Sequence, residues 1–266
     1  MLDRYNRNIN YLRISVTDRC NLRCRYCMPC EDFVMLSHND ILTFDEITEV
    51  VRCASDMGIV KVRLTGGEPL VRRDVVELVK MISAVPGIID LGMTTNGILL
   101  ERFAAQLSEA GLDRINVSLD TMDAGKYSEL TAGGDISMVF RGIEAALKAG
   151  LDPVKINCVI ENSSDEPDAL AVKRYGEENG LNVRFIHQMN LGEGEFSIVE
   201  GGAGGDCKIC NRLRLTANGM VKPCLFSDVA FNVRNMGAKE ALTAALFSKP
   251  ESGTNCVNNQ FYNIGG

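Results

Sequence analysis

Cys20, Cys24 and Cys27 stand with three and then two residues between them in the run Thr17-Asp18-Arg19-Cys20-Asn21-Leu22-Arg23-Cys24-Arg25-Tyr26-Cys27. Three thiolates on one short segment can hold three corners of an iron–sulfur cube. A cluster held wholly by protein uses four cysteines, so the fourth iron is left for another ligand. A structural zinc loop is the alternative, but zinc takes four ligands in a closed site. A second set repeats the arrangement: Cys207 and Cys210 form a CxxC, and Cys224 follows after thirteen residues. Iron–sulfur is the preferred reading there too, with zinc as the alternative and Cys256 available as a fourth ligand.

The elements around these cysteines must bring them to one place. Short β-branched runs at 11–16, 59–65, 89–95, 114–119, 154–160 and 182–187 alternate with helical patterns at 44–57, 73–84, 101–110, 138–149 and 167–179. Such alternation predicts a parallel sheet, and six repeats predict an α/β fold built as a partial, open (β/α)6 TIM-like barrel. Thr43 and Glu46 have the spacing of a capping box. The first cysteine set follows the first strand, and Gly66-Gly67-Glu68-Pro69 follows the second. Residues 190–206, rich in Gly and Glu, read as a linker or flexible loop. A small C-terminal auxiliary iron–sulfur module follows, with an Asn218-Gly219 hairpin turn and a helix at 238–247. The predicted division is 1–189 for the barrel and 190–266 for linker and module.

Alternate strand residues point to opposite faces. Leu12, Ile14 and Val16 thus oppose Arg13 and Ser15, and Val62 and Leu64 oppose Lys61 and Arg63. Likewise Ile115 and Val117 oppose Asn116 and Ser118, Val154 and Ile156 oppose Lys155, and Val183 and Phe185 oppose Arg184. The apolar faces must pack the helices, which leaves the cations facing the barrel interior. Interiors of filled barrels are aliphatic and unpaired interior charge is costly, so Arg13, Lys61, Arg63, Lys155 and Arg184 predict a wet cavity for an anionic ligand. Arg212 and Arg214 share a face by the same rule.

The chain has 266 residues, a net charge of −7, 45% hydrophobic and 24% charged residues, and a pI near 5.0. The acidic balance argues against nucleic acid or an anionic membrane as partner. No apolar stretch reaches bilayer length and the N-terminus has no apolar signal core, so the expectation is a cytoplasmic protein. Ten cysteines there indicate metal or redox chemistry rather than disulfides. Cys30, Cys53 and Cys158 read as packing or surface residues, and His38 and His187 as structural.

The triad with Tyr26 before its third cysteine, and Gly66-Gly67-Glu68-Pro69, resemble the radical S-adenosylmethionine (SAM) superfamily. The run Cys210-Asn211-Arg212-Leu213-Arg214-Leu215-Thr216-Ala217-Asn218-Gly219, Pro223-Cys224-Leu225-Phe226 and the terminal Ile264-Gly265-Gly266 narrow the resemblance to the GTP 3′,8-cyclase family of molybdenum (or tungsten) cofactor biosynthesis. The resemblance implies a lyase with two [4Fe–4S] clusters and SAM. Its 5′-deoxyadenosyl radical would take the ribose 3′ hydrogen of GTP before ring closure onto C8. It implies SAM contacts at Tyr26, Gly66, Gly67, Glu68, Thr94, Ser118 and Met189, with Glu68 suited to an ammonium partner. It also implies GTP contacts at Arg13, Lys61, Arg63, Lys155, Arg184, Arg212 and Arg214. Arg212, Arg214, Gly265 and Gly266 would support catalysis. A low-potential donor such as flavodoxin or ferredoxin, a downstream pyranopterin-forming enzyme and a homodimer complete the implied partners, with no membrane and no nucleic acid.

Two departures are visible: members usually carry a longer segment where this chain has 190–206, and Cys256 could close the second cluster. Both leave room for a related radical SAM enzyme acting on a peptide or another substrate with a four-cysteine auxiliary cluster. A non-catalytic metal-binding scaffold is the further rival, opposed by the intact triad, the glycine pair and the charged interior.

Overall fold

The computed structural model describes residues 1–27, 34–258 and 261–264; Cys30, Gly265 and Gly266 lie outside the described residues. Strands β1 (Tyr11–Ser15), β2 (Lys61–Thr65), β3 (Asp90–Thr95), β4 (Arg114–Ser118), β5 (Val154–Ile160) and β6 (Asn182–His187) are all parallel. Helices α1 (Phe44–Asp56), α2 (Val75–Ser83), α3 (Leu100–Glu109), α5 (Ile136–Lys148) and α6 (Pro167–Glu178) make the crossovers. The apolar strand face packs these helices. Ile14, Leu64, Met93, Val117 and Ile156 are fully buried with Val51, Leu78, Leu107, Val139 and Val172 of the helices in one continuous core. Cys158 joins that core, and Cys53 packs at its edge.

A sixth helix, α4 (Ala124–Thr131), has no counterpart in the sequence expectation, because its residues show little apolar periodicity. It is started by the Asp123 carboxylate, which accepts from Lys126 N. Its last carbonyls accept from the cysteine segment, Thr131 O from Arg23 N at 3.1 Å and Leu130 O from Arg25 N at 3.2 Å. The helix thus backs the first cysteine set rather than the sheet.

The predicted division near residue 190 is not a break in the structure. Strand β7 (Arg212–Leu215) pairs in parallel with β1, and β8 (Met220–Lys222) and β9 (Phe231–Asn232) extend the same sheet antiparallel. The strand order is β6-β5-β4-β3-β2-β1-β7-β8-β9. After the short α7 (Val233–Met236), α8 (Ala238–Phe247) buries Ala241, Leu242 and Ala245 in the common core. A last turn of helix, α9 (Phe261–Ile264), buries Ile264 among Leu191, Leu225 and Phe226. Residues 190–206 are not a free linker either. Phe185 and Glu200 exchange backbone hydrogen bonds at 3.1 and 3.0 Å, laying the segment along β6. Gly201, at φ +74°, makes the close pass over the Val183 carbonyl that a side chain would block. Among the described residues no helix is long and apolar enough to cross a membrane.

The expected capping box is formed: Thr43 Oγ1 accepts from Glu46 N at 3.2 Å, and Glu46 Oε2 accepts from Thr43 N at 2.7 Å. Arg234 of α7 adds bonds to both Glu46 oxygens at 2.7 and 3.0 Å. These bonds, that of Arg234 first, hold the Glu46 carboxyl down to about 2. A depressed carboxyl contributes stability above its ordinary value near 4.5 and loses it as pH falls toward about 2. Glu46→Gln should therefore lower stability by about 1 kcal/mol at pH 6–7. In urea titrations the gap to the parent should narrow below pH 4.5; a gap constant with pH would show that the charge is idle.

Candidate functional site

The inward faces of the strands meet in a cavity of about 310 Å³. Register decides what lines it. Arg13 stands beside Arg63 on one side and Arg214 on the other, and Tyr11 lies between Lys61 and Arg212. Arg63 is followed across the sheet by Gly92 and then Arg114. The missing side chain of Gly92 leaves room for Arg114, whose Cγ would be 3.4 Å from a Cβ there. Asp90 answers Lys61 at 2.9 Å and also pairs with Arg114.

Like charges side by side on one sheet face are destabilising, and their mutual effect is legible. Burial, then Arg214, drives Arg13 well below its ordinary value. Burial, then Arg212, brings Arg214 to about 10. Arg184 and Lys155 are lowered by burial and then by neighbouring cations. Burial would raise the Tyr11 phenol, yet Arg63, Arg13 and Arg212 outweigh it and leave it below its ordinary value. The solvent-shielded Nε atoms of Arg63, Arg184 and Arg212 meet no acceptor among the described residues. Orphaned guanidinium donors aimed into a cavity fit a polyanion with several acceptor oxygens.

The first cysteine set lies at the C-terminal end of the parallel strands. Gly67 N donates to Thr17 O and Glu68 N to Arg19 O, each at 2.8 Å, so the turn after β2 grips the segment entering the cysteines. A Cβ on Gly66 would stand 2.6 Å from Thr17 O, and one on Gly67 would overlap the Arg19 carbonyl. The glycine pair is thus required by the approach of the cysteine segment itself. Glu68 has a second, structural role. It is 1% exposed, and its carboxylate accepts from Leu70 N, Thr95 Oγ1 and Asn96 N at 2.9, 2.8 and 2.7 Å. It staples the turn to β3, and burial raises its carboxyl to about 7.

Asn96 Nδ2 points at Cys20 Sγ from 3.8 Å, and the Tyr26 hydroxyl donates to Asp120 Oδ2 at 2.7 Å. Burial raises the Cys24 and Cys27 thiols to about 12, with Cys27 and Cys20 as the next influence on Cys24 and Cys20 on Cys27. The three sulfurs feel one another, yet no trio among the described residues is gathered tightly enough for a single metal ion.

Cys207, Cys210 and Cys224 all line the cavity, at the other end of the strands. Cys207 and Cys210 precede β7, and Cys224 follows β8, which runs back antiparallel. Arg7 fixes this end: paired with Asp3 at 2.6 Å, it donates to Cys207 O, Glu251 O and Pro250 O at 2.8, 2.9 and 2.6 Å. The two cysteine sets therefore stand at opposite ends of the parallel strands, which are about five residues or ~16 Å long, with the second set lining the cavity.

Of the residues singled out by sequence, Arg13, Lys61, Arg63, Arg184, Arg212, Arg214, Thr94 and Met189 line the cavity. Lys155 lies beside Asn116 in β4 and feels the same cations without lining it. Tyr26, Gly66, Gly67 and Ser118 gather at the end that bears the first cysteines. Cys256 belongs to the apolar cluster against which Cys224 packs. Its thiol donates to Asp228 Oδ1 at 3.2 Å and accepts from Lys222 Nζ at 3.8 Å, and Asp228 also takes Val257 N and Asn258 N. Exposed Asp228, by holding the Cys256 thiol and two following backbone N–H groups, latches the C-terminal segment. His187 reaches Glu200 at 3.5 Å, in the wall segment. Sequence reading missed Arg114, Tyr11 and Lys249. The first two share the parity of Asn116 and Arg13 and were legible by it; Lys249 carries no local signal.

Residues 14–169 match the radical SAM superfamily. A GTP 3′,8-cyclase of Alkaliphilus oremlandii is 40% identical over 299 residues, covering 94% of this chain and 93% of its own. That of Moorella thermoacetica is 41% identical over 300 residues, covering 95% and 93%. With the Clostridium botulinum GTP 3′,8-cyclase the alignment spans all of both chains at 36% identity. It runs over 319 positions against 266 residues here, so that relative carries residues with no counterpart in this chain. Among solved structures, Streptococcus suis SuiB bound to S-adenosylmethionine superposes with a TM-score of 0.65 at 17% identity, over 94% of this chain and 66% of SuiB. The anSMEcpe enzyme with bound AdoMet gives 0.65 at 16%, over 91% and 81%. At such identities the likeness concerns the fold.

The crowded arginines carry a stability prediction. Arg63→Met should raise the melting temperature of the ligand-free protein at low salt by about 2–4 °C, as expected for roughly 1 kcal/mol. It should also abolish the rise that inorganic triphosphate produces in the parent. A lower melting point with an intact triphosphate response would refute the crowding argument.

Proposed function

Because the chain belongs to the radical SAM superfamily and, within it, to the GTP 3′,8-cyclase family, we propose that its chamber binds GTP and closes the ribose C3′ onto guanine C8. The observation that carries this reading is the arginine row Arg214–Arg13–Arg63 lying between two sets of three thiols. The family's cofactors are SAM and two [4Fe–4S] clusters. Cys20, Cys24 and Cys27 would hold the cluster that SAM completes, and Cys207, Cys210 and Cys224 the second. SAM bound there supplies a 5′-deoxyadenosyl radical that takes hydrogen from the ribose.

The chain's own residues do the rest. Arg13, Lys61, Arg63, Lys155, Arg184, Arg212 and Arg214, joined by Arg114, would hold the triphosphate, by bidentate contacts where arginines supply them. Anchoring so many phosphate oxygens immobilises the ribose in the chamber and supplies orientation rather than chemistry. Phe196, Val199 and Phe226 wall the side near the second cysteines and exclude water. Tyr26, held by Asp120, with Gly66, Gly67, Thr94, Ser118 and Met189, would form the SAM side. Glu68 supports that side from behind. Gly265 and Gly266, at the end of a segment latched by Asp228, would assist Arg212 and Arg214. The second set is read as Cys207, Cys210 and Cys224, with the Cys256 thiol hydrogen-bonded to Asp228. A flavodoxin or ferredoxin as reductant, a pyranopterin-forming enzyme downstream, and a cytoplasmic homodimer belong to the same reading.

Anaerobically reconstituted protein should hold about eight irons and, with SAM, a strong reductant and GTP, should release 5′-deoxyadenosine and a 3′,8-cyclised nucleotide. Arg212→Ala should cut cyclised product by about 10- to 100-fold through lost charged hydrogen bonds, with SAM cleavage remaining. SAM cleavage in the parent with GTP left intact would overturn the substrate assignment in favour of a peptide or other substrate.

A further inference from the structure

Lys249 lies two residues beyond α8 and is 3% exposed. Its Nζ donates to Arg212 O at 2.7 Å and to Pro223 O at 2.8 Å. Arg212 stands two residues after Cys210, and Pro223 immediately precedes Cys224. Two ammonium donors are thus used within the two arms that carry the second cysteine set, and the charge also acts on the Cys210 and Cys224 thiols.

Two carbonyls supply hydrogen bonds but no countercharge, and a buried ammonium without one is costly. Arg7, which clamps the same region, differs: it brings its own carboxylate, Asp3, at 2.6 Å. Lys249 pairs with no carboxylate among the described residues, and its nearest opposite charges are the Cys210 and Cys224 thiolates. A neutral donor would serve a purely structural clamp. A cation sealed here matches a negatively charged occupant of the thiolates.

We propose that Lys249 is a positioning residue for the second cluster, tying the Cys210 and Cys224 arms together through their carbonyls and raising the cluster's reduction potential through its charge. The role rests on the reading that Cys207, Cys210 and Cys224 hold a cluster. Reduction adds negative charge, which a fixed neighbouring cation stabilises.

The test uses the full chain without GTP, with Cys20, Cys24 and Cys27 replaced by alanine so that the second cluster alone reports. Iron content and an EPR-monitored redox titration are compared for the Lys249 parent, Lys249→Arg and Lys249→Gln. The glutamine variant keeps a donor and loses the charge. Its midpoint should move to more negative potential, or its iron should fall, while the arginine variant stays near the parent. Equal midpoints in parent and glutamine variant would overturn the role, as would equal displacement or equal iron loss in both variants. A parent that takes up no cluster would overturn the cluster reading along with it, an outcome distinct from the others.

Discussion

Several guanidinium groups share one sheet face inside a closed fold, and most of the architecture can be understood as what makes this tolerable. Neighbouring strands lie ~4.8 Å apart, so the register Arg214–Arg13–Arg63 brings like charges together at a repulsion on the order of a few kcal/mol per pair. Asp90 relieves only Lys61 and Arg114. The remaining repulsion is carried by the opposite face of the same strands, where Leu12, Ile14, Val62, Leu64 and Leu213 are fully buried in a continuous core. Stability is drawn from outside the barrel and binding energy is stored inside it. An anion entering the chamber replaces repulsion with attraction, which gives a small polyphosphate more leverage than the same cations would have on a solvated surface.

The two cysteine sets depend on close backbone approach rather than on the cysteines alone. At one end, Gly66 and Gly67 let the turn after β2 touch the segment from Thr17 to Arg19, and Glu68 fastens that turn to β3. At the other end, Arg7 and Lys249 reach backbone carbonyls of the cysteine arms from elements at the two ends of the chain. Each set is held by hydrogen bonds from groups that are not themselves ligands, the arrangement expected where thiol positions must be fixed before a cofactor arrives.

Residues 190–206 close the chamber on one side. Glycines and a bridge between Asn190 and Glu195 let the segment turn back on itself, and a bridge from Glu200 to Phe185 lays it beside β6. Phe196 stacks on Phe226 with ring centres 4.5 Å apart, joining this wall to the end of the β8 arm. The wall therefore belongs to the same apolar cluster that buries Ile264, and closure of the cavity is coupled to seating of the C-terminal segment.

Local order determined much on its own. Period-two alternation placed Arg13, Lys61, Arg63 and Arg184 on the inner face, since a half-buried strand must sort its side chains by polarity; extended by one residue, the same rule would have included Tyr11 and Arg114. Cysteine spacing marked both triplets, and Thr43 with Glu46 marked a helix start. Tertiary structure decided what spacing cannot: that β7 runs parallel to β1 and so sets the cysteine groups at opposite ends of the same strands. It also decided that Gly66 and Gly67 make room for backbone, that Cys256 is drawn to Lys222 and Asp228, and that Lys249 belongs to the second site. Each of these contacts joins residues far apart in sequence, so its energy depends on which chain segments become neighbours, and no local pattern encodes that.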